Sequence, residues 1–272
     1  MNYYSTAYLE SGNYMFERRI EEAGLNSWPA LQQLLFDGWI IRFARGYTKR
    51  ANSVTPIYPS QLSSEEKIDH CERFYEQKQL PTIFRLPSFA AESASLERVL
   101  EQRGYYSFER SHVWSTTLSS TLTEPDLALH NVSLASWLPI YCQFSTRYSE
   151  LQHLHGELLE RIPPPFLYAV LYLEGVPVAC GLGVLEHEMF GIFDVVTDPA
   201  QRQKGYGTRL VTAMLAWGRQ HGAHYAYLQV IETNLIAQQL YAKLGFQPCY
   251  DYWYLKKRNE GEMSPSTGGS AF

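Results

Sequence analysis

Cysteine is scarce. Only Cys71, Cys142, Cys180 and Cys249 occur in 272 residues, with no CxxC pair and no histidine at ligand spacing. That argues against a disulfide framework and a zinc site, and no metal is expected; a reducing cytosol is the natural compartment. Long apolar runs are also missing. The most apolar stretch, residues 166–185, is broken by Glu174, Gly175 and Pro177, and it reads as two strands and a turn rather than a membrane span. The opening MNYYSTAYLE lacks the charged-then-apolar order of a secretion signal, so a cytoplasmic location is expected. There is no basic excess: 23 Lys and Arg stand against 28 Asp and Glu, for a net charge of −5. A general nucleic-acid binder would show a basic footprint. Neither nucleic acid nor membrane is an expected partner, and oligomeric state is left open.

Apolar side chains are plentiful, at 45% with 14% aromatic, enough for a sizeable core. A polar, turn-rich stretch at residues 116–131 divides the chain into an expected N-terminal unit, 1–120, and a C-terminal unit, 130–257. The Gly- and Ser-rich residues 258–272 are expected to be a disordered tail. In the first unit, residues 20–36 read as helical or mixed, and DGWIIRFARG as a strand entered from a turn. A second strand is expected at 52–58, a Ser-initiated helix at 62–77, a strand at 81–86, a helix at 96–102 and either a strand pair or one long strand at 105–115. In the second unit a strand at 132–134 precedes helices near 137–144 and 151–161. A three-strand antiparallel meander over 165–199 follows, then helix 205–220, strand 225–230, helix 235–243 and strand 250–255.

Both units end alike. Aligning Arg103-Gly104-Tyr105 with Leu244-Gly245-Phe246 superimposes a strand, a helix, a Gly-aromatic pair and a strand. It sets Leu100 opposite Tyr241, and the match reads as a duplication.

The chemical signal is the junction FDVVTDPAQRQKGYGTRLV. A β-rich run ends at Asp198-Pro199, and a loop with Arg202, Gly205 and Gly207 then opens a helix. A helix N-terminus leaves N–H groups unpaired and carries partial positive charge, and glycines let an anion approach that backbone. A diphosphate is the natural occupant, with Arg202 and Lys204 adding charge. The spacing is neither the Rossmann fingerprint nor a P-loop. Downstream, NLIAQQLYAKLGF starts a helix at Asn234 as a cap and places Ala237, Leu240, Tyr241 and Leu244 on one side.

Together the two segments resemble the GNAT superfamily of N-acetyltransferases. RQKGYG is similar to its coenzyme A pyrophosphate motif, R/Q-x-x-G-x-G/A, and NLIAQQLYAKLGF to its later N-x-x-A-x-x-L-Y-x-K-x-G-F motif. The resemblance covers roughly residues 130–257. The first half lacks the loop and carries Leu100 in place of the tyrosine, so it looks like a degenerate copy. The implied fold is α/β (α+β), a mixed, mostly antiparallel central sheet flanked by helices and present as a tandem of two GNAT-like halves.

The implied reaction moves an acetyl group from acetyl-CoA, as co-substrate, to a primary amine of a small molecule or amino-acid-type acceptor. The resemblance assigns Gln203, Lys204, Gly205, Tyr206, Gly207 and Thr208 as backbone donors to the pyrophosphate, beside the charge of Arg202, and Val195, Val196 and Thr197 to the pantetheine and thioester carbonyl. Asn234 would contact the pantetheine or the strand, and Tyr241 would protonate the departing thiolate. Asp194 is the favoured acceptor of the amine's proton, ahead of Glu186 and Glu232.

Acetylation of a protein or peptide amine is an alternative, as is an acyl-CoA-binding sensor without turnover. Tyr58, Tyr105, Tyr106, Trp114, Tyr141, Tyr148 and Trp253 are candidates for an acceptor pocket, with core packing the commoner fate of such residues. His153 and His155 read as surface histidines.

Overall fold

The computed structural model describes residues 3–118, 128–145, 152–163 and 165–257, leaving aside the side chains of residues 3–13 and 152. The expected tail, most of the polar boundary segment and Tyr148 lie outside these residues.

A helix, α1 (Tyr3–Ser27), comes first. The first unit continues with β1 (Gln32–Phe36), β2 (Trp39–Phe43), β3 (Val54–Pro56), α2 (Ser64–Gln77), β4 (Ile83–Pro87), α3 (Ser93–Gln102) and β5 (Tyr105–Thr117). The second comprises β6 (Leu129–Asn131), α4 (Leu134–Ser145), α5 (Gln152–Leu159), β7 (Phe166–Leu173), β8 (Val176–Glu186), β9 (Met189–Thr197), α6 (Tyr206–Gln220), β10 (Tyr225–Ile231), α7 (Leu235–Lys243) and β11 (Gln247–Lys257).

Residues 20–36 are not one mixed segment. The helix stops ahead of Pro29, and β1 forms because Asp37-Gly38 supplies φ of 41° and 82° at the two turn positions, the backbone that a two-residue hairpin requires. The strand expected at 132–134 lies three residues earlier, and Leu134 already begins α4.

All the described strands form one sheet in the order β1-β2-β3-β4-β11-β5-β10-β9-β8-β7-β6. Pairing is antiparallel except between β3 and β4 and between β9 and β10. These two parallel pairs occupy equivalent places about an axis between β11 and β5. The sequence repeat is therefore visible as topology: β3-α2-β4-α3-β5 matches β9-α6-β10-α7-β11. Each half gives its closing strand to the other, since β11 pairs with β4 and β5 pairs with β10. The two closing strands pair with each other from Gln247↔Ser115 to Lys257↔Tyr105. The exchange ties the halves through backbone hydrogen bonds.

Helices cover both faces. Beneath α1, α4 and α5 lies a cluster that includes Ile20, Trp137, Phe144, Leu182, Tyr227 and Tyr252. On the other face α6 and α7 cover Leu167, Phe190, Leu210, Met214 and Phe246, while α2 and α3 cover Trp39, Phe84, Leu100 and Leu255. At the junction the buried carboxylate of Glu21 on α1 pairs with Arg85 of β4 and accepts from the Tyr250 hydroxyl of β11 at 2.6 Å. That fixes α1 across strands of both halves.

Candidate active site

The site is built on a parting of strands. β9 and β10 pair from Tyr225↔Met189 only to Leu228↔Ile192, although β10 runs on to Ile231 and β9 to Thr197. The cause lies within β9. Its register with β8 jumps between Leu182↔Phe193 and Cys180↔Val196, and Asp194 sits in the jump with φ 49°. Such a bulge bends its strand and increases the local twist. Residues 193–197 thus turn away from β10, and their backbone on that side has no ladder partner.

Two cavities open at the parting. One, of about 550 Å³, is lined by Val195, Val196, Thr197, Arg202, Gln203, Gly205, Tyr206, Gly207, Thr208, Asn234, Ile236 and Tyr241, among others. Ten of the eleven residues expected to hold the coenzyme thus meet here, with Tyr241. Lys204 is the exception: its ammonium donates to Gln201 Oε1 at 2.8 Å, and it is not among the lining residues. Ile236, 84% exposed, leaves an apolar surface at the rim.

The start of α6 offers free backbone donors. Gly205 occupies the N-cap at φ 81°, no side chain caps the first turn, and no acid lies in it. The equivalent start of α2 is already satisfied. Ser63 and Glu66 form a reciprocal capping box, with Glu65 beside them, and the Asp37 carboxylate accepts from Gln61 N and Leu62 N at 2.8–3.0 Å. Those backbone bonds hold the Asp37 carboxyl below its ordinary range. The first half therefore carries its own anion where the second half presents an open cradle.

Tyr241 stands on α7 where the two cavities meet. Its ring is half-buried, edge-on to Phe246 at 5.9 Å, and its hydroxyl makes no hydrogen bond among the described residues. Desolvation pushes its phenol up to about 12, so the proton stays on at any working pH. Asn234 caps α7, accepting from Ala237 N at 3.2 Å, and lines both cavities.

The second cavity, of about 500 Å³, is lined by Asp194, Tyr141, Arg50, Arg202, Gln229 and Tyr241, among others. The Tyr141 hydroxyl donates to Asp194 Oδ1 at 3.3 Å, and His155 Nε2 lies 3.2 Å from Oδ2 without the alignment of a hydrogen bond. His155 Nδ1 is 2.7 Å from the Tyr47 hydroxyl. His155 is thus no surface residue: it is 2% exposed, stacked on Tyr141 and tilted against Trp28. His153 is exposed. The alternative bases lie elsewhere. Glu186 accepts from Asn26 Nδ2 at 3.0 Å in a separate groove, and exposed Glu232 lines neither cavity.

Of the aromatic residues considered for a pocket, only Tyr141 lines this one among those described. Trp114, Tyr105 and Trp253 are core, and the Tyr58 hydroxyl donates to Glu22. Arg50 and Tyr47 escaped the sequence reading because neither lies in a catalytic motif. The only available sign was the polar turn sequence RGYTKRANS, which is longer than a hairpin between β2 and β3 requires.

Comparison with known proteins shows the family. Residues 17–255 match the family model described as "Probable histone acetyltransferase Rv0428c C-terminal". The chain belongs to this family of GNAT-type N-acetyltransferases. This acyltransferase is similar over 89% of its length to the uncharacterized N-acetyltransferase YobR of Bacillus subtilis, at 26% identity over 247 residues and 98% of that protein. Its fold is that of a GCN5-related N-acetyltransferase from Kribbella flavida, with TM-score 0.69 and 15% identity, covering 89% of this chain and 96% of that one. A tandem GNAT protein from the clavulanic acid biosynthesis pathway superposes with TM-score 0.52 and 12% identity, covering 74% and 70% of the two chains. This GNAT acetyltransferase thus has the α/β, tandem architecture expected of it.

Among the described residues no cluster of three or more His, Cys, Asp or Glu could hold a metal, and no helix is long and apolar enough to cross a membrane.

Proposed function

We propose that the enzyme transfers an acetyl group from acetyl-CoA to the amine of a small molecule or amino-acid-type acceptor by direct attack, and that residues 130–257 form its catalytic unit beside a degenerate first half. The observation that carries this reading is the meeting of two cavities at Tyr241, one with an uncapped helix start and the other with Asp194. The uncapped first turn of α6 and Arg202 suit a diphosphate. The free edge of β9 suits an amide-bearing arm, which would continue the sheet as a strand does.

A backbone N–H at Val195–Thr197 stabilises the oxygen that gains charge as the amine attacks. The amine nitrogen bonds to the acetyl carbon, its surplus proton passes to Asp194 directly or through water, and the carbon–sulfur bond breaks. Tyr241 donates to the departing thiolate. A phenol near 12 facing a thiol of about 8.5 makes complete transfer uphill by roughly 3–4 pKa units, or about 5 kcal/mol. Tyr241 therefore acts first as a hydrogen-bond donor to developing charge, and solvent protons complete the thiol. Asp194 is suited to its part because the Tyr141 hydroxyl steadies one carboxylate oxygen, the other makes no hydrogen bond among the described residues, and the group opens on the cavity shared with Tyr241.

Calorimetry should find one equivalent of acetyl-CoA per chain, and a panel of amines should release free thiol. Two comparable sites would overturn the reading of the first half as degenerate, and absence of thiol release with every amine would overturn the acetyl-transfer reading.

Asp194→Asn should lower kcat/KM about 10²-fold near neutral pH, the scale of a positioned base. The loss should shrink as pH rises. A lysine-like amine, with a reference pKa of about 10.4, gains roughly tenfold in free base per pH unit below that value and needs the carboxylate less. A deficit that stays constant from pH 7 to 10 would assign Asp194 a structural role.

A further inference from the structure

The connection between β2 and β3 spans residues 44–53, whereas the equivalent β8–β9 connection is only residues 187–188. The long loop is held rigid. Asn52 Oδ1 accepts from Ala44 N and Gly46 N, while its amide donates to the Tyr47 and Thr48 carbonyls, all at 2.7–3.0 Å. Arg42 Nη1 donates to the Arg50 carbonyl at 3.0 Å. Thr48 is fixed at φ 54°, a left-handed conformation that a β-branched residue adopts only under constraint.

This clamped loop sends two side chains to the site of the other half. Tyr47 bonds His155, the neighbour of Asp194. Arg50 lines the cavity that holds Asp194 and Tyr241.

Among the described residues Arg50 has no counter-ion. Its Nε is buried without a hydrogen-bond partner, and no ion pair among the described residues involves its guanidinium. The guanidinium carbon lies 5.3 Å from the Trp28 ring centre and 5.8 Å from that of Phe193. Such contacts occupy the face of a planar cation and leave its N–H edge for a planar anion, which a guanidinium holds bidentately. Asp194, the acid in this cavity, is already flanked by Tyr141 and His155.

We propose that Arg50 binds a carboxylate carried by the acceptor, so that the substrates are amino acids or other amines with a nearby carboxylate, and that the first half supplies this specificity. The inference rests on the acetyl-transfer reading for its amine. The carboxylate docks at Arg50 while the amine lies toward Asp194 and the thioester. A bare polyamine or a lysine-rich peptide would meet Arg50 and Arg202 as like charges.

The test compares phenylalanine with phenethylamine and lysine with 1,5-diaminopentane, by thiol release and by calorimetric titration into protein saturated with coenzyme A. The wild type should favour the carboxylate member at least about tenfold in kcat/KM and in affinity. Arg50→Gln should raise KM for that member about 10- to 10²-fold with kcat nearly unchanged, lower rather than raise KM for the decarboxylated partner because a like charge is removed, and be partly rescued for the carboxylate member in Arg50→Lys.

Equal use and equal binding of both members by the wild type would overturn the proposal, as would an equal loss for both in a folded Arg50→Gln. If no amine releases thiol, the titration still decides. Amino-acid binding that Arg50→Gln abolishes would keep this site and sink acetyl transfer, and absence of amino-acid binding would sink this site.

Discussion

Tyr241→Phe is expected to lower kcat on the order of 10²-fold, the usual scale for a positioned acid, while acetyl-CoA affinity and stability hold. The hydroxyl makes no hydrogen bond among the described residues, and the ring packs edge-on to Phe246. Removing one oxygen that bonds nothing leaves the packing intact, and the change in stability should stay within about 0.5 kcal/mol. Affinity for acetyl-CoA should hold because the thioester sulfur is a poor acceptor until it carries charge. The loss therefore belongs in kcat.

The pH profile supplies a second check. Burial raises the phenol pKa, so the protonated form persists to about 12. Ionisation of Tyr241 should produce no alkaline fall in rate between pH 8 and 10. A folded variant with near wild-type kcat on a good acceptor would remove Tyr241 from the mechanism.

Gly205→Glu is expected to weaken acetyl-CoA binding by 10²-fold or more, about 3 kcal/mol. An added Cβ at Gly205 meets nothing within 4 Å, so sterics do not oppose the change. The backbone does, because φ is 81° and a non-glycine residue there costs roughly 1–3 kcal/mol. A domain stable by about 5–15 kcal/mol survives that.

The carboxylate itself is the reason for the effect on binding. It brings a negative charge to the uncapped start of α6, as Asp37, Glu65 and Glu66 do at the start of α2. A diphosphate would then meet like charge and occupied donors. Gly205→Asn separates strain from charge, since asparagine tolerates the left-handed region. It should keep affinity within about tenfold. Unchanged affinity in folded Gly205→Glu would place the diphosphate elsewhere.

Local chemistry was legible because it is written in local sequence. The RQKGYG loop opens a helix since glycines permit its turn, and Asn234 caps α7 since its side chain reaches Ala237 N at 3.2 Å. Ten of the eleven proposed coenzyme contacts needed only the correct strand–loop–helix order to converge. Lys204 did not, because which way a loop lysine points depends on neighbours such as Gln201.

His155 was misread for a related reason. Two histidines at 153 and 155 on a short helix carry no sign of which one faces inward. Burial came from packing against Trp28, Trp137 and Tyr141, residues distant in sequence or on another helix. β1 was missed because residues 20–36 were read as one helical or mixed segment; its Leu34 and Leu35 are both exposed, so the strand carries no alternation of buried and exposed residues.

By itself the sequence determined the reaction class, since the two motifs that carry it, at 202–207 and 234–246, are each written in a run of about a dozen residues. Only the tertiary structure decided what joins the halves. The exchange of β5 and β11 depends on pairing between residues more than a hundred positions apart, and no local propensity specifies a partner strand. It also decided the acceptor side of the site. The β9 bulge parts β9 from β10, and the clamped 44–53 loop of one half brings Arg50 into the cavity that holds Asp194, and Tyr47 against His155, of the other. Residues that far apart in the chain come to line one cavity only when the core forms.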